Sequence, residues 1–275
     1  MYCKFYGLNE RPFNVTADPT FFFSSPKHSE AYSHLLYGVT QRKGIIVLTG
    51  EIGTGKTTLC RFFLSQLGKN FNTAFILNPY FSEVQLLEAI VRDYGIEAKD
   101  NSKLGLVYSL NKFLLEESEA GNNVVLIIDE AQNLQPQHLE QVRLLSNLET
   151  QKHKLIQIIL VGQPELNRML NLYDLRQLQQ RIMVRYHITP LDRNEVRNYI
   201  YHRLQTAGVN PADKIKFSEE AIGVISDFSG GIPRLVNIIC DRALLAGFVG
   251  ELRNIDANIV NRCVEELGVY FAKEV

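Results

Sequence analysis

The sequence has few cysteines and no metal-binding pattern built on them. Its 275 residues contain Cys3, Cys60, Cys240 and Cys263, and no two of them form a C-x-x-C spacing. Neither a disulfide framework nor a zinc site is therefore indicated, and we expect a reducing compartment. The six histidines also lack the spacing of metal ligands.

Long apolar runs are absent as well. No stretch of the sequence approaches the ~20 apolar residues that cross a bilayer. The first residues, "MYCKFYGLNERPF", lack the apolar segment of a secretory signal. These two absences predict a cytoplasmic protein.

The charge is nearly balanced, with 29 basic and 30 acidic residues. Such a balance gives no general attraction to nucleic acid or membranes, although a small net charge can conceal a basic face. The hydrophobic share of 45% is typical of a globular protein. No internal repeat, low-complexity segment or long linker is visible.

Short apolar runs alternate with segments of helical period over the first 190 residues. This alternation predicts an α/β fold with a five-stranded, mostly parallel sheet and helices on both faces. The predicted strands are 44–49, 73–78, 123–129, 155–162 and 183–188. From Arg193 onward only helical signals remain, so we predict a nucleotide-binding α/β domain at 1–190 and a small all-helical domain at 191–275.

A glycine-rich loop follows the first predicted strand in "VLTGEIGTGKTTLC", residues 47–60. Its spacing matches G-x-x-x-x-G-K-[ST], in which glycines expose backbone N–H groups and a lysine reaches the phosphates of a nucleotide. A helix that begins near the lysine adds the positive end of its dipole. The alternative is a plain turn that caps a helix. The predicted nucleotide-binding residues are Gly50, Glu51, Ile52, Gly53, Thr54, Gly55, Lys56, Thr57 and Thr58.

Two adjacent carboxylates end the third predicted strand, in "VVLIIDEAQ". At the carboxyl end of a parallel strand beside a phosphate loop, Asp129 can bind Mg²⁺ together with the hydroxyl of Thr57. Glu130 can orient and deprotonate an attacking water. A solvated strand end is the alternative for such a pair.

Taken together, these motifs resemble the AAA+ ATPases, and within them the ExeA/GspA type associated with bacterial general secretion. The resemblance covers nearly the whole chain. It rests on the opening segment 5–39, "GEIGTGKTT", "IIDEAQNL", "VRLLSNLET", "LVGQPEL", "LRQLQQRI" and "GGIPRLVN". The ordered set is specific, whereas a phosphate loop alone is generic.

The resemblance also implies roles for further residues. Asn78 would restrain the catalytic glutamate, Gln163 would act as sensor 1, and Arg234 as sensor 2 from a helical lid. Arg181 or Arg176 would reach the nucleotide of a neighbouring subunit. The alternative for Asn78 is a strand cap, and for Gln163 a buried amide. For the three arginines it is a solvated surface position. The N-terminal segment would cover the adenine with the flat apolar surfaces of Pro12, Phe13 and 21–23, although aromatic runs more often belong to a core.

The function implied by the resemblance is hydrolysis of Mg-ATP by an oligomer, coupled to conformational change in envelope secretion or secretin assembly. Proteins of this type are usually the cytoplasmic part of a longer, membrane-spanning chain that works with a membrane partner. The sequence leaves open whether this chain reaches the inner membrane through a further region or through a partner.

Two other functions share the same phosphate loop. A DNA-acting AAA+ ATPase of the transposition or initiation type would need a basic track and often an added DNA-reading module, and no such module follows the lid. A small-molecule kinase is disfavoured by the Asp129–Glu130 pair, the two arginines and the lid motif.

Overall fold

The computed structural model describes residues 1–77, 79–98, 100–151, 153–208 and 215–271. The chain divides into two compact units. Unit 1 contains the described residues of Met1–Ser25, Ile52–Gly55 and Thr189–Val275, and unit 2 those of Pro26–Glu51 and Lys56–Ile188. The N-terminal segment, predicted to belong with the sheet, thus lies in unit 1. The division into a nucleotide-binding domain at 1–190 and a lid at 191–275 stays a prediction.

Unit 2 is built on a five-stranded sheet in the order β2-β3-β4-β1-β5. All neighbouring strands are parallel, which confirms the predicted α/β sheet. The strands are β1 (Ile45–Gly50), β2 (Phe71–Ile76), β3 (Asn123–Ile128), β4 (Ile156–Gly162) and β5 (Ile182–Ile188).

The three central strands carry the core of unit 2. Every residue of β1, β3 and β4 is buried. Because successive side chains of a strand point to opposite faces, complete burial means that both faces of the sheet are covered. This explains why these strands appear in the sequence as continuous apolar runs.

Helices connect the strands, as a parallel sheet requires. Helix α1 (Tyr2–Tyr6) belongs to unit 1. The helices of unit 2 are α2 (Pro26–Thr40), α3 (Lys56–Gln66), α4 (Glu83–Asp93), α5 (Lys103–Glu119), α6 (Pro136–Leu145), α7 (Pro164–Leu170) and α8 (Arg176–Gln179). Helix α4 begins with a capping box between Ser82 and Gln85, which satisfies two backbone N–H groups at that end. Short 3₁₀ helices lie at Ala131–Asn133 and Tyr173–Leu175.

Parallel strands end at the same edge of their sheet. Strands β3, β4 and β1 are neighbours, so the residues that leave them come close together: the loop after Gly50, the Asp129–Glu130 pair and Gln163. This carboxyl edge is where open α/β sheets generally bind ligands.

Unit 1 is mainly helical. It contains α1 (Tyr2–Tyr6), a 3₁₀ helix at Pro19–Phe21, α9 (Arg193–Thr206), α10 (Glu219–Ser229), α11 (Pro233–Val249) and α12 (Ala257–Phe271). Two strands of two residues each, β6 (Lys216–Phe217) and β7 (Asn254–Ile255), pair in parallel and were not predicted. In the described part of the chain, no helix is long and apolar enough to span a membrane.

The N-terminal segment forms part of the core of unit 1. Phe13 and Phe21 are buried, with 2% and 5% of their surface exposed. The Arg203 guanidinium from α9 lies over the ring of Phe21 and donates hydrogen bonds to the carbonyls of Pro12 and Asn14. These aromatic residues therefore have a structural role in the core, whatever further contacts the segment makes.

Candidate functional site

The glycine-rich loop has the backbone that its spacing predicts. Strand β1 ends at Gly50, and helix α3 begins at Lys56. Between them Gly53 and Gly55 have φ angles of +80° and +95°. Residues with a Cβ rarely adopt these angles, so the glycines allow the loop to turn tightly into the helix. The unpaired N–H groups of the first turn of α3 follow directly after the turn.

Lys56 is a buried cation where this loop meets α3. Only 6% of its surface is exposed, and its Nζ donates to the carbonyl oxygens of Gly50 (2.7 Å) and Glu51 (2.9 Å). Burial lowers the pKa of Lys56, although the negative charges of Glu130, Asp129 and Glu51 oppose the shift. An ammonium group has three donors, and the carbonyls take two. A buried cation in this position fits an anionic ligand such as a phosphate.

Asp129 follows β3 and is 1% exposed. Its Oδ2 accepts a hydrogen bond of 2.6 Å from the Thr57 hydroxyl, and its Oδ1 accepts one of 2.9 Å from the backbone N–H of Glu130. Burial raises the pKa of Asp129, while those two hydrogen bonds lower it in part. The structure therefore brings together the two oxygen groups predicted to bind Mg²⁺, and their chemistry suits this ion.

Glu130 has an unusual backbone. Its φ and ψ are 52° and 39°, in the left-handed region that non-glycine residues seldom adopt. Such a conformation costs on the order of 1 kcal/mol and occurs often at functional sites. The half-buried carboxylate accepts two hydrogen bonds at the same oxygen, Oε2, from Gln132 Nε2 (2.5 Å) and from Gln163 Nε2 (3.3 Å).

Gln163, the predicted sensor, thus lies within hydrogen-bond distance of the predicted base. Gln132 was not among the predicted site residues. The sequence signal for Gln132 is its place in "DEAQ", two residues after Glu130. This spacing brings the two side chains together because residues 131–133 form a 3₁₀ helix.

Arg234 contacts the tip of the glycine-rich loop within unit 1. Its backbone N–H donates to the carbonyl of Gly53 (3.2 Å), and a Cβ added to Gly53 would lie 2.7 Å from the Cβ of Arg234. The glycine at this position therefore allows the close approach. The Arg234 side chain is exposed.

The remaining predicted residues do not join this cluster. Arg176 stacks on the ring of Tyr173, 4.2 Å from its centre. Arg181 is half-buried, and its positive charge, after that of Lys154, helps to lower the pKa of Glu149. In the described residues neither arginine forms a hydrogen bond or ion pair with Lys56 or Glu130. Asn78 lies outside the described residues.

Comparisons with known proteins agree with this arrangement. Residues 39–170 match the family described as "AAA domain". Over 272 residues the chain is 46% identical to "General secretion pathway protein A" of Aeromonas hydrophila, an alignment that covers 98% of this chain and 49% of that protein. The chain therefore spans about half the length of this relative.

Solved structures of low sequence identity have the same fold. The Aeropyrum pernix ORC2 protein, solved in ADPNP-ADP complexes, superposes with a TM-score of 0.71 at 17% identity, over 94% of this chain and 72% of that one. Cdc6p from Pyrobaculum aerophilum gives a TM-score of 0.67 at 20% identity, over 86% and 67%. The motifs, the fold and the extent of the secretion-protein match lead to one conclusion: the chain belongs to the AAA+ ATPase family, and within it to the ExeA/GspA type.

Proposed function

We propose that the protein binds ATP with Mg²⁺ and hydrolyses it at the carboxyl edge of its sheet. The observation that supports this most strongly is the contact network around Asp129, which accepts hydrogen bonds from Thr57 and from the N–H of Glu130 while the charge of Lys56 lies nearby. A cation, two metal-type oxygen groups and a carboxylate base are the groups that phosphoryl transfer to water requires.

Residues of the loop bind the nucleotide. The backbone N–H groups between Gly50 and Thr58 and the start of α3 surround the phosphates, and Lys56 donates its third N–H to them. Thr57 and Asp129 would hold Mg²⁺, which would supply positive charge to neutralise the phosphate oxygens.

Glu130 acts as the general base. It accepts a proton from water as the water oxygen forms a bond to the γ-phosphorus, and the bond from that phosphorus to the oxygen bridging to the β-phosphate breaks. The electron pair of that bond remains on ADP, and inorganic phosphate is the second product. Gln163 orients the water or the γ-phosphate, and Arg234 senses whether that phosphate is present.

The cellular role is coupling of this reaction to secretion. The supporting observation is the 46% identity with a general secretion pathway protein. We propose that oligomers of the protein act at the cytoplasmic face of the inner membrane. There the helical part moves relative to the nucleotide-binding part and drives a membrane partner that promotes secretin assembly.

The test of the enzymatic proposal is Glu130→Gln. The amide retains the shape of the side chain but cannot accept the proton, so we expect the turnover number to fall by roughly 10² to 10⁴. The affinity for Mg-ATP, measured by calorimetry, should remain close to that of the wild type. Glu116→Gln serves as the control, because Glu116 is exposed and its ion pair with Lys112 lies at the surface. Near-normal turnover of Glu130→Gln would remove Glu130 from the role of base.

A separate experiment tests the cellular role. Cells that produce only Glu130→Gln should contain fewer assembled secretin multimers in their outer membrane than cells with the wild type. Normal secretin assembly would contradict the secretion role. Salt-dependent stimulation of ATP hydrolysis by duplex DNA would instead favour a DNA-acting ATPase.

A further inference from the structure

Gln132 connects the predicted base to the neighbouring strand. Its Nε2 donates to Glu130 Oε2 (2.5 Å), and its Oε1 accepts from the backbone N–H of Gln163 (3.1 Å). One amide side chain therefore spans from the residue after β3 to the residue after β4. Both ends of the amide are used, which fixes its orientation.

Gly162 provides the space for this contact. A Cβ at this position would lie 2.8 Å from Gln132 Oε1 and 2.9 Å from Leu166 Cδ2. Both distances are shorter than carbon contacts in folded proteins allow. The last residue of β4 is therefore compatible with the Gln132 side chain because it is a glycine.

The arrangement has a consequence for the carboxylate. Gln132 and Gln163 both donate to Oε2 of Glu130, the shorter of the two contacts coming from Gln132. A carboxylate held at one oxygen by two donors cannot rotate freely. Its other oxygen, Oε1, then has a defined direction in which it can meet a water.

We propose that Gln132 is a positioning residue that holds the Glu130 carboxylate in the orientation for proton abstraction and sets its place relative to Gln163. This role rests on the proposed hydrolysis of ATP. In this role Gln132 acts through Glu130 and Gln163 rather than on the water or the nucleotide. The competing explanation is that Gln132 only braces the backbone where β4 ends.

Two substitutions separate these explanations. Gln132→Glu retains an oxygen that accepts the N–H of Gln163, but it replaces the donor to Glu130 by a second carboxylate. Gln132→Ala removes both hydrogen bonds. If Gln132 positions the base, both variants should lower kcat by on the order of 10²-fold, because a displaced catalytic group costs about that much in rate. KM for ATP and the calorimetric affinity should stay within about twofold, since the binding groups are untouched.

A third variant approaches the same contact from the other side. Gly162→Ala should displace Gln132 Oε1 and lower kcat by a similar factor. When it is combined with Gln132→Ala, the loss should be smaller than the product of the two single effects, because both changes remove one interaction. Gln137→Ala, in which an exposed glutamine is lost, is the matched control. Thermal unfolding of each variant checks that the fold is retained.

The outcomes are distinct. Near-normal kcat of Gln132→Glu would show that only the backbone contact matters and would overturn the positioning role. A rise in KM equal to the fall in kcat/KM would assign Gln132 to nucleotide binding and overturn it as well. If the wild type itself shows no turnover that depends on Glu130, the proposed function fails, and the role of Gln132 fails with it.

Discussion

Each of the two units contains a buried cation, and the two cations are used in opposite ways. Lys56 in unit 2 is 6% exposed and Arg203 in unit 1 is 5% exposed. In the described part of the chain neither forms an ion pair with a carboxylate within 4 Å, and each donates hydrogen bonds to backbone carbonyl oxygens.

The difference lies in what surrounds the two side chains. Arg203 donates from Nε to Pro12, from Nη1 to Tyr199 and from Nη2 to Asn14, while its face lies over Phe21. Lys56 uses two of its three donors and is placed at the start of a helix beside a glycine-rich turn. A buried cation packed on an aromatic ring and bonded to core carbonyls stabilises the fold, whereas one at a helix start beside a glycine-rich turn is suited to an anionic ligand.

The largest expected effect concerns Arg181, a cation proposed to act on the ligand of another subunit rather than within its own unit. It is half-buried, and we propose that it completes the site of a neighbouring subunit, with Arg176 as the second candidate. Arg181→Ala should bind ATP normally. Its turnover number should fall by about 10³- to 10⁵-fold, because an arginine supplied across an interface contributes about that factor. Specific activity of the wild type should rise with protein concentration.

Mixing experiments decide whether the site is shared. Inactive Arg181→Ala subunits should regain turnover when mixed with inactive Lys56→Ala subunits, because each can complete a site that the other lacks. Constant activity per chain on dilution to a proven monomer would contradict the shared site. So would mixed oligomers that remain inactive.

Lys56→Ala should affect the ligand and leave the fold intact. We expect the Kd for ATP to rise by roughly 10- to 100-fold, since a charged hydrogen bond to phosphate is lost. The free energy of unfolding without nucleotide should stay within about 1 kcal/mol of the wild type, because the desolvation penalty of the ammonium disappears with its two hydrogen bonds. Calorimetric titration and denaturant unfolding measure the two quantities. An unchanged Kd would refute the phosphate-loop assignment.

Arg203→Ala should lower the stability of the fold and leave ATP binding unchanged. The carbonyls of Pro12 and Asn14 and the hydroxyl of Tyr199 would lose their donor, which should lower the free energy of unfolding by about 3 kcal/mol. At temperatures well below unfolding, ATP affinity should remain at the wild-type level. Arg197→Ala is the matched control, since its exposed pair with Glu219 should contribute about 1 kcal/mol at most. Weaker ATP binding by Arg203→Ala without loss of stability would contradict the purely structural role of Arg203.

Sequence patterns predicted the sheet well and located the turn from β1 into α3, because both depend on local signals. Apolar runs bounded by turn residues located the strands, and the glycines before Lys56 located the start of α3. The rule that parallel strands end at one edge of their sheet led us to expect Asp129 beside the glycine-rich loop, whereas its hydrogen bond with Thr57 was not predicted.

Other features depend on packing that a linear pattern does not contain. The Gln132 contact requires the left-handed backbone of Glu130 and the absence of a Cβ at Gly162, neither of which is visible in spacing. Strands β6 and β7 have two residues each, too short for any periodicity. The N-terminal segment packs in unit 1 against residues far away in the sequence, as in the hydrogen bond between Arg203 and Pro12, which are 191 positions apart.

The left-handed backbone of Glu130 also determines which substitutions at this position would stabilise the protein. Glycine, and to a lesser degree asparagine, tolerate the left-handed region better than glutamate, by about 1 kcal/mol per residue. A variant library screened only for heat resistance should therefore lose glutamate at this position early, whereas a library screened for turnover should keep it. Selection for thermal stability and selection for turnover therefore favour different residues at position 130.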